Sequence, residues 1–209
     1  MAIRERIRKI KHLQNKYFIC VLENPELFVN IGTAIRNVSA FGVEKQYVVG
    51  GDKKALRDFK TTRKSRTLRT TSVGASKWVF VKHFDTVKEC IEHLRKNLYT
   101  IAVTSSHDKG KNVDLYEEEF TQKRLAVWFG NEARGVSGEA IDAADICIRI
   151  PMGGIVESLN LGTSTGIVLS FISYQRLKFV FTYKKARIKS RGLGKLITRS
   201  WKDFINPHR

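Results

Sequence analysis

The 209-residue chain is 42% hydrophobic and 28% charged, the balance of an ordinary globular domain with enough length for one sizeable core. Its 38 lysines and arginines against 20 acids give a net charge of +18, which disfavours cationic partners and calls for an anionic one such as a phosphate backbone. No run approaches the roughly 20 apolar residues of a membrane span and no apolar signal segment follows the basic start. Cys20, Cys90 and Cys147 show no C-x-x-C spacing, so neither a disulfide framework nor a zinc site is expected, and the protein should be soluble and cytoplasmic.

In chain order, residues 1–16 carry a basic block that includes Arg8 and Lys11 and reads as helical over residues 1–14. The apolar run Tyr17–Leu22 reads as a strand. An amphipathic helix follows over residues 30–41, with Phe28, Ile31, Ala34, Ile35, Val38 and Phe41 on one arc and Asn30, Thr33, Arg36 and Asn37 on the other. After a strand at Gln46–Val49, residues 53–69 form a second basic block containing Arg63, Lys64 and Arg66. Strands are expected at Trp78–Val81, Tyr99–Thr104, Leu125–Phe129 and Ile146–Ile150, and helices at Asp85–Leu98, Ser137–Ala144 and Leu159–Lys178. From Arg176 to Lys202, a stretch including Lys184 and Lys185, there is no acid, and residues 193–205 read as a short basic helix. Strands alternating with helices predict an α/β fold with a parallel sheet covered by helices. No internal repeat is present.

The polar, glycine-rich segment 153–166 lies between a strand and a long helix, where backbone N–H groups can face a ligand. No G-x-G-x-x-G follows the first strand, and P-loop, H-E-x-x-H and His/Cys metal spacings are missing, so no metal is expected. Two further segments bear on the function: Asn24-Pro25-Glu26 leading to Asn30, Gly32, Arg36 and Phe41-Gly42, and Leu125–Phe129 running into Gly130-Asn131-Glu132-Ala133-Arg134-Gly135. With Ile150-Pro151-Met152 before Glu157-Ser158-Leu159-Asn160, these segments resemble the three motifs of the TrmH (SpoU) family of SPOUT RNA 2′-O-ribose methyltransferases, over about residues 17–180.

The resemblance implies a basic N-terminal helical extension at 1–16, a SPOUT methyltransferase domain at 17–180 and a basic C-terminal extension at 181–209. It implies a mainly parallel sheet flanked by helices, a deep trefoil knot over roughly residues 125–180, a homodimer with active sites at the subunit interface, and S-adenosylmethionine as methyl donor. It assigns catalytic roles to Arg36, Asn30, Glu132, Ser158 and Asn160. Cofactor contacts, chiefly through backbone groups, fall to Thr104, Gly130, Asn131, Ile150 and Leu159. RNA contacts are expected at Arg8, Lys11, Arg63, Lys64, Arg66, Arg176, Lys184 and Lys185. Taken without the family, Arg36 reads as a surface ion-pairing residue, Glu132 as an acid near a helix N-terminus, and Ser158 and Asn160 as helix N-caps.

Methyl transfer from a sulfonium needs an aligned nucleophile and an exit for its proton, and demands no metal. Arginine is a poor base because its pKa exceeds about 12. Arg36 is therefore expected to hold phosphate and to stabilise the developing 2′-oxyanion, with the proton leaving through phosphate or water. The expected substrate is guanosine 18 in the tRNA D-loop. The alternatives are 23S rRNA or another tRNA nucleotide and, from a different class, a non-catalytic RNA-binding protein.

Overall fold

The computed structural model describes Glu5 and residues 14–51, 64–105 and 112–190, with side chains up to Phe179. The first strand, β1 (Asn15–Glu23), is buried continuously from Phe18 to Glu23. Such an uninterrupted apolar run is what a strand covered on both faces requires. Six more strands are β2 (Val43–Val49), β3 (Phe80–Phe84), β4 (Thr100–Thr104), β5 (Asn112–Asp114), β6 (Leu125–Phe129) and β7 (Ile146–Arg149). They join β1 in one sheet of order β3-β2-β1-β6-β4-β7-β5, and every pairing is parallel.

Five α-helices complete the described fold: α1 (Phe28–Ala40), α2 (Arg66–Thr71), α3 (Val87–Lys96), α4 (Gly138–Asp142) and α5 (Leu161–Ser190). Alternation along the strands sorts their side chains into two cores. Phe18, Cys20, Leu22, Val127 and Phe129 meet Ile31 and Ile35 of α1, Leu68 of α2, and Leu169 and Ile172 of α5. On the opposite face Ile19, Val21, Ala126 and Trp128 meet Cys90 and Leu94 of α3 and Ala140 of α4. Both α3 and α4 start on side-chain caps, Thr86 accepting from the Glu89 N–H and Ser137 from that of Ala140. Among the described residues no helix is long and apolar enough to cross a membrane.

Neither β5 nor α2 was among the expected elements, and two expected elements have other bounds. The strand expected at Trp78–Val81 begins at Phe80, because Gly74 takes a left-handed turn into a short 3-10 helix over Ala75–Lys77. The helix expected from Leu159 starts at Leu161 and runs without interruption to Ser190, across the boundary placed at residue 180. The helices expected at 1–14 and 193–205 lie outside the described residues, apart from Glu5 and Gln14.

Arg176 on α5, expected at the RNA surface, is a structural residue instead. It is 9% exposed. Its Nε donates to Asn15 Oδ1 at 2.8 Å, Nη1 to the Gln122 carbonyl and Nη2 to the Lys123 carbonyl at 3.3 Å, while the guanidinium sits over the Phe18 ring. Burial lowers its pKa from the usual arginine value, yet arginine stays charged at any ordinary pH. One cation thus ties α5 to the start of β1 and to the approach to β6. Arg176→Met, which keeps the bulk and removes the donors, should cost about 3 kcal/mol and lower Tm by roughly 6–12 °C in thermal melts. Unchanged melting with weakened RNA binding would return Arg176 to the surface role.

Candidate active site

The sheet order places β6 between β4 and β1, although β1 lies about a hundred residues before it in the chain. The direction in which successive strands are laid into the parallel sheet reverses at this point, and the carboxyl ends of such strands open a crevice. A cleft of about 380 Å³ lies there, lined by Glu23, Asn24, Glu26, Asn131, Arg134 and Ser137.

Beside it, three of the five expected catalytic side chains form one hydrogen-bonded chain. Asn30 on α1, 4% exposed, donates through Nδ2 to Glu132 Oε1. Because a carboxylate only accepts, the amide nitrogen of Asn30 must face Glu132 and its oxygen must face away. That oxygen receives the Nδ2 of Asn160 at 3.2 Å. Asn160 Oδ1 in turn accepts from the Gly162 N–H at 2.8 Å and the Thr163 N–H at 3.4 Å, capping α5. Glu132 Oε2 also accepts from the Glu26 backbone N–H at 3.4 Å. Asn160 therefore both caps a helix and joins the cluster.

Arg36 and Ser158 stand apart from this chain. Arg36 is exposed and has no hydrogen bond or ion pair among the described residues. It follows Asn30 by six residues on α1, about 240° around the helix, so the two point in different directions. Ser158 is exposed in the loop between β7 and α5 and caps nothing, since Asn160 alone fills that position.

Part of the polar arc of α1, Thr33 and Asn37, meets the first turns of α5, while Arg36 on the same arc stays exposed. Asn37 donates through Nδ2 to the Gly162 carbonyl at 2.9 Å and to Thr165 Oγ1 at 3.0 Å. A Cβ on Gly162 would lie 2.7 Å from Thr33 Cγ2, so the two helices approach this closely only with glycine there. Asn37 is thus a positioning residue that sequence reasoning passed over. Its only signal was a place on the same polar arc as Asn30 and Arg36.

The expected cofactor residues gather at the carboxyl ends of three neighbouring strands: Thr104 ends β4, Gly130 follows β6, and Ile150 follows β7. Thr104 Oγ1 donates to the Trp128 carbonyl at 3.1 Å, Ile150 packs against the core, and Leu159 is half-buried just before α5. Asn131 makes its side-chain contacts within the protein. Its Nδ2 donates to the Asn24 carbonyl at 2.6 Å and to Glu26 Oε1 at 3.2 Å, and its Oδ1 accepts from the N–H groups of Ala133 and Arg134. With its side chain so committed, Asn131 shapes the 131–135 turn and ties it to the loop after β1.

Glu23 is the other residue the sequence did not single out. At 3% exposure it accepts from the Trp128 indole N–H at 2.7 Å and from the Ser137 backbone N–H at 3.3 Å. A lone acid closing an apolar strand was its only mark in the sequence. Among the described residues no cluster of His, Cys, Asp and Glu could hold a metal ion.

Of the cationic side chains, Lys64 and Arg66 are exposed at the start of α2. Arg8, Lys11 and Arg63 lie outside the described residues. Lys184 and Lys185 fall on the distal part of α5, where the backbone alone is described.

A family model described as the SpoU rRNA methylase family matches residues 17–170. The chain is 31% identical over 177 residues to a tRNA (guanosine(18)-2′-O)-methyltransferase of Thermus thermophilus, covering 85% of this chain and 84% of that one. Its fold is similar to that of a TrmH/SpoU tRNA modifying enzyme of A. aeolicus, with a TM-score of 0.69 and 22% identity over 99% of this chain and 94% of the other. It is also similar to an AdoMet-bound rRNA methyltransferase of Sinorhizobium meliloti, with a TM-score of 0.66 and 24% identity over 78% of this chain and 58% of that one.

Proposed function

The chain belongs to the SpoU rRNA methylase family, and on that footing we propose that it transfers a methyl group from S-adenosylmethionine to a ribose 2′-hydroxyl of RNA, with guanosine 18 of the tRNA D-loop as substrate. The observation that carries the reading is the hydrogen-bonded chain from Asn30 to Glu132 and Asn160, which draws all three motifs together, with an exposed Arg36 on the same helix as Asn30 whose side chain has no partner among the described residues. The similarity to the guanosine-18 enzyme, spanning most of both chains, supports the choice of nucleotide.

The donor fits the residues present. Thr104, Gly130, Ile150 and Leu159 carry no charge, and the loop after β7 exposes the apolar side chains of Ile155 and Val156. Uncharged, partly apolar walls suit an adenosine and the aliphatic chain next to a sulfonium. When bound, this group supplies an electrophilic methyl with a good leaving group. Arg36 holds a phosphate next to the reacting ribose and stabilises the oxyanion that forms at O2′, while the 2′-hydroxyl proton leaves to phosphate or water. Glu132, Asn30 and Asn160 hold the start of α1 and the start of α5 in register, so that Arg36 presents its fork to the substrate from a fixed helix. The knot expected over 125–180, the homodimer and a cytoplasmic location belong to the same proposal, as do the cationic contacts at Lys64, Arg66, Lys184 and Lys185.

The test is to incubate the protein with labelled donor and unmodified tRNA and 23S rRNA transcripts, then map ribose methylation. Label at the D-loop guanosine is expected. Label on rRNA or at another tRNA position would overturn the nucleotide and keep the reaction. RNA binding without any transfer would identify a non-catalytic binder.

A further inference from the structure

The site leaves unexplained a patch at the β3 edge of the sheet, where two large aromatic side chains face solvent. Trp78, just after the 3-10 helix, is 50% exposed, and Phe80, the first residue of β3, is 56% exposed. Val79 between them packs against the core and anchors both. Lone exposed apolar residues are unremarkable, but aromatic residues on an edge strand invite unwanted pairing and are normally replaced by charge. Here they are interleaved with charge. Lys77 precedes Trp78 and is exposed, and Lys45 of β2 is in register with Phe80, with Glu44 as its neighbouring acid. From Phe59 to Phe84 the chain carries seven lysines and arginines and no acid.

The backbone also holds this patch to the helix that carries the exposed Arg66 and Arg69. The Gly74 N–H donates to the Arg69 carbonyl, and the Trp78 N–H to that of Ala75. Through α2 the patch is tied to α1 near the catalytic cluster, since a Cβ on Gly32 would fall 1.8 Å from Thr71 Oγ1. Trp78 itself precedes β3 and so lies toward the amino ends of the strands, away from the 130 and 150 loops.

We propose that Trp78, together with the adjoining Phe80, Lys45 and Lys77, is a stacking platform for an unpaired base of the RNA substrate, at a nucleotide remote from the methylated one. The inference rests on the RNA methyltransferase reading. Flat aromatic surface beside cations suits a base joined to phosphates, and stacking tolerates any base because each has a π-face. A paired duplex offers phosphates and no free face, so the platform distinguishes looped from helical RNA.

The test uses tryptophan emission in a Trp201→Phe background, which leaves Trp78 and the fully buried Trp128. An unstructured pyrimidine-rich RNA oligonucleotide should quench this emission, and an RNA duplex of equal length should quench it far less. Trp78→Ala should weaken binding of the single strand about tenfold, within the range measured for loss of one stacked base. Trp78→Tyr should retain most of the affinity, and S-adenosylmethionine binding should be unchanged in both variants. Equal single-strand affinity in Trp78→Ala would overturn the platform and leave the methyltransferase reading standing. A change from dimer to monomer in Trp78→Ala would also overturn it, giving the patch to a second copy of the chain. Quenching and a tenfold loss in a protein that methylates no RNA would leave the platform standing and overturn the activity.

Discussion

Replacing Arg36 with alanine should lower methyl-transfer turnover by about 10²–10³-fold, the usual cost of removing one donor aimed at developing negative charge. The melting curve and circular dichroism should stay close to wild type. Arg36 is exposed and has no partner among the described residues, and surface substitutions away from special contacts stay within roughly ±0.5 kcal/mol. Arg36→Lys should recover little, because a point charge on a flexible stem does not replace a planar fork that grips two phosphate oxygens. The measurements are single-turnover rates at saturating donor and RNA, with thermal melts of the same preparations. Activity that fell only in step with folded protein would remove Arg36 from the chemistry.

The second large effect is expected at Gly130, against a control at Gly154. A Cβ on Gly130 would lie 2.2 Å from the Gly135 carbonyl carbon and 2.3 Å from the Val136 nitrogen, both backbone atoms that cannot step aside. Gly130→Ala must therefore push apart the turn that Asn131 and Gly135 close with paired backbone hydrogen bonds of 2.8 and 2.9 Å. A loss at or above the top of the usual range of about 1–3 kcal/mol for overpacking is expected. The same displacement would move Glu132 away from Asn30, so S-adenosylmethionine binding by calorimetry and turnover should fall together. A Cβ on Gly154 meets nothing within 4 Å, and Gly154→Ala should leave stability unchanged. If Gly130→Ala melts and binds like wild type, the tight 130–136 turn does not shape the site.

What the sequence revealed of the fold follows from burial. The apolar runs of β1, β2, β4, β6 and β7 lie deep in the sheet and announced themselves. By contrast β5 (Asn112–Asp114) is three half-buried residues at the sheet's edge, and α2 buries only Leu68; neither has a pattern for periodicity to detect. Trp78 looked like strand because the residues after it, Val79 to Val81, are apolar, and only the left-handed Gly74 shows why the chain turns first.

Legibility of the site had a different basis. Asn30, Glu132 and Asn160 were found through motif resemblance, since nothing in local spacing brings together residues more than a hundred positions apart. The side-chain ties of Asn131 and Arg176 were not legible either, because polar and cationic residues near motifs invite a reading toward ligands. Their actual partners, Asn24 and Glu26 for one, Asn15 and Gln122 for the other, come from distant segments. Glu23 and Asn37 escaped for the same reason: a hydrogen bond to Trp128 or Gly162 leaves no trace in the neighbouring sequence.

The hydrogen bonds that join Asn30 to Glu132 and to Asn160 close loops of 102 and 130 residues. Contacts of such separation are slow to form, because chain entropy must be surrendered before they return any energy. The centre of the sheet has the same property: β1 finds one neighbour in β2 early, but its other neighbour is β6. During synthesis the amino-terminal half must therefore wait with one side of its first strand unpaired, an exposed edge prone to the wrong partner. Competence arrives late and all at once: a nascent chain that stops short of Asn160 has neither the cap of α5 nor the last member of the Asn30 cluster.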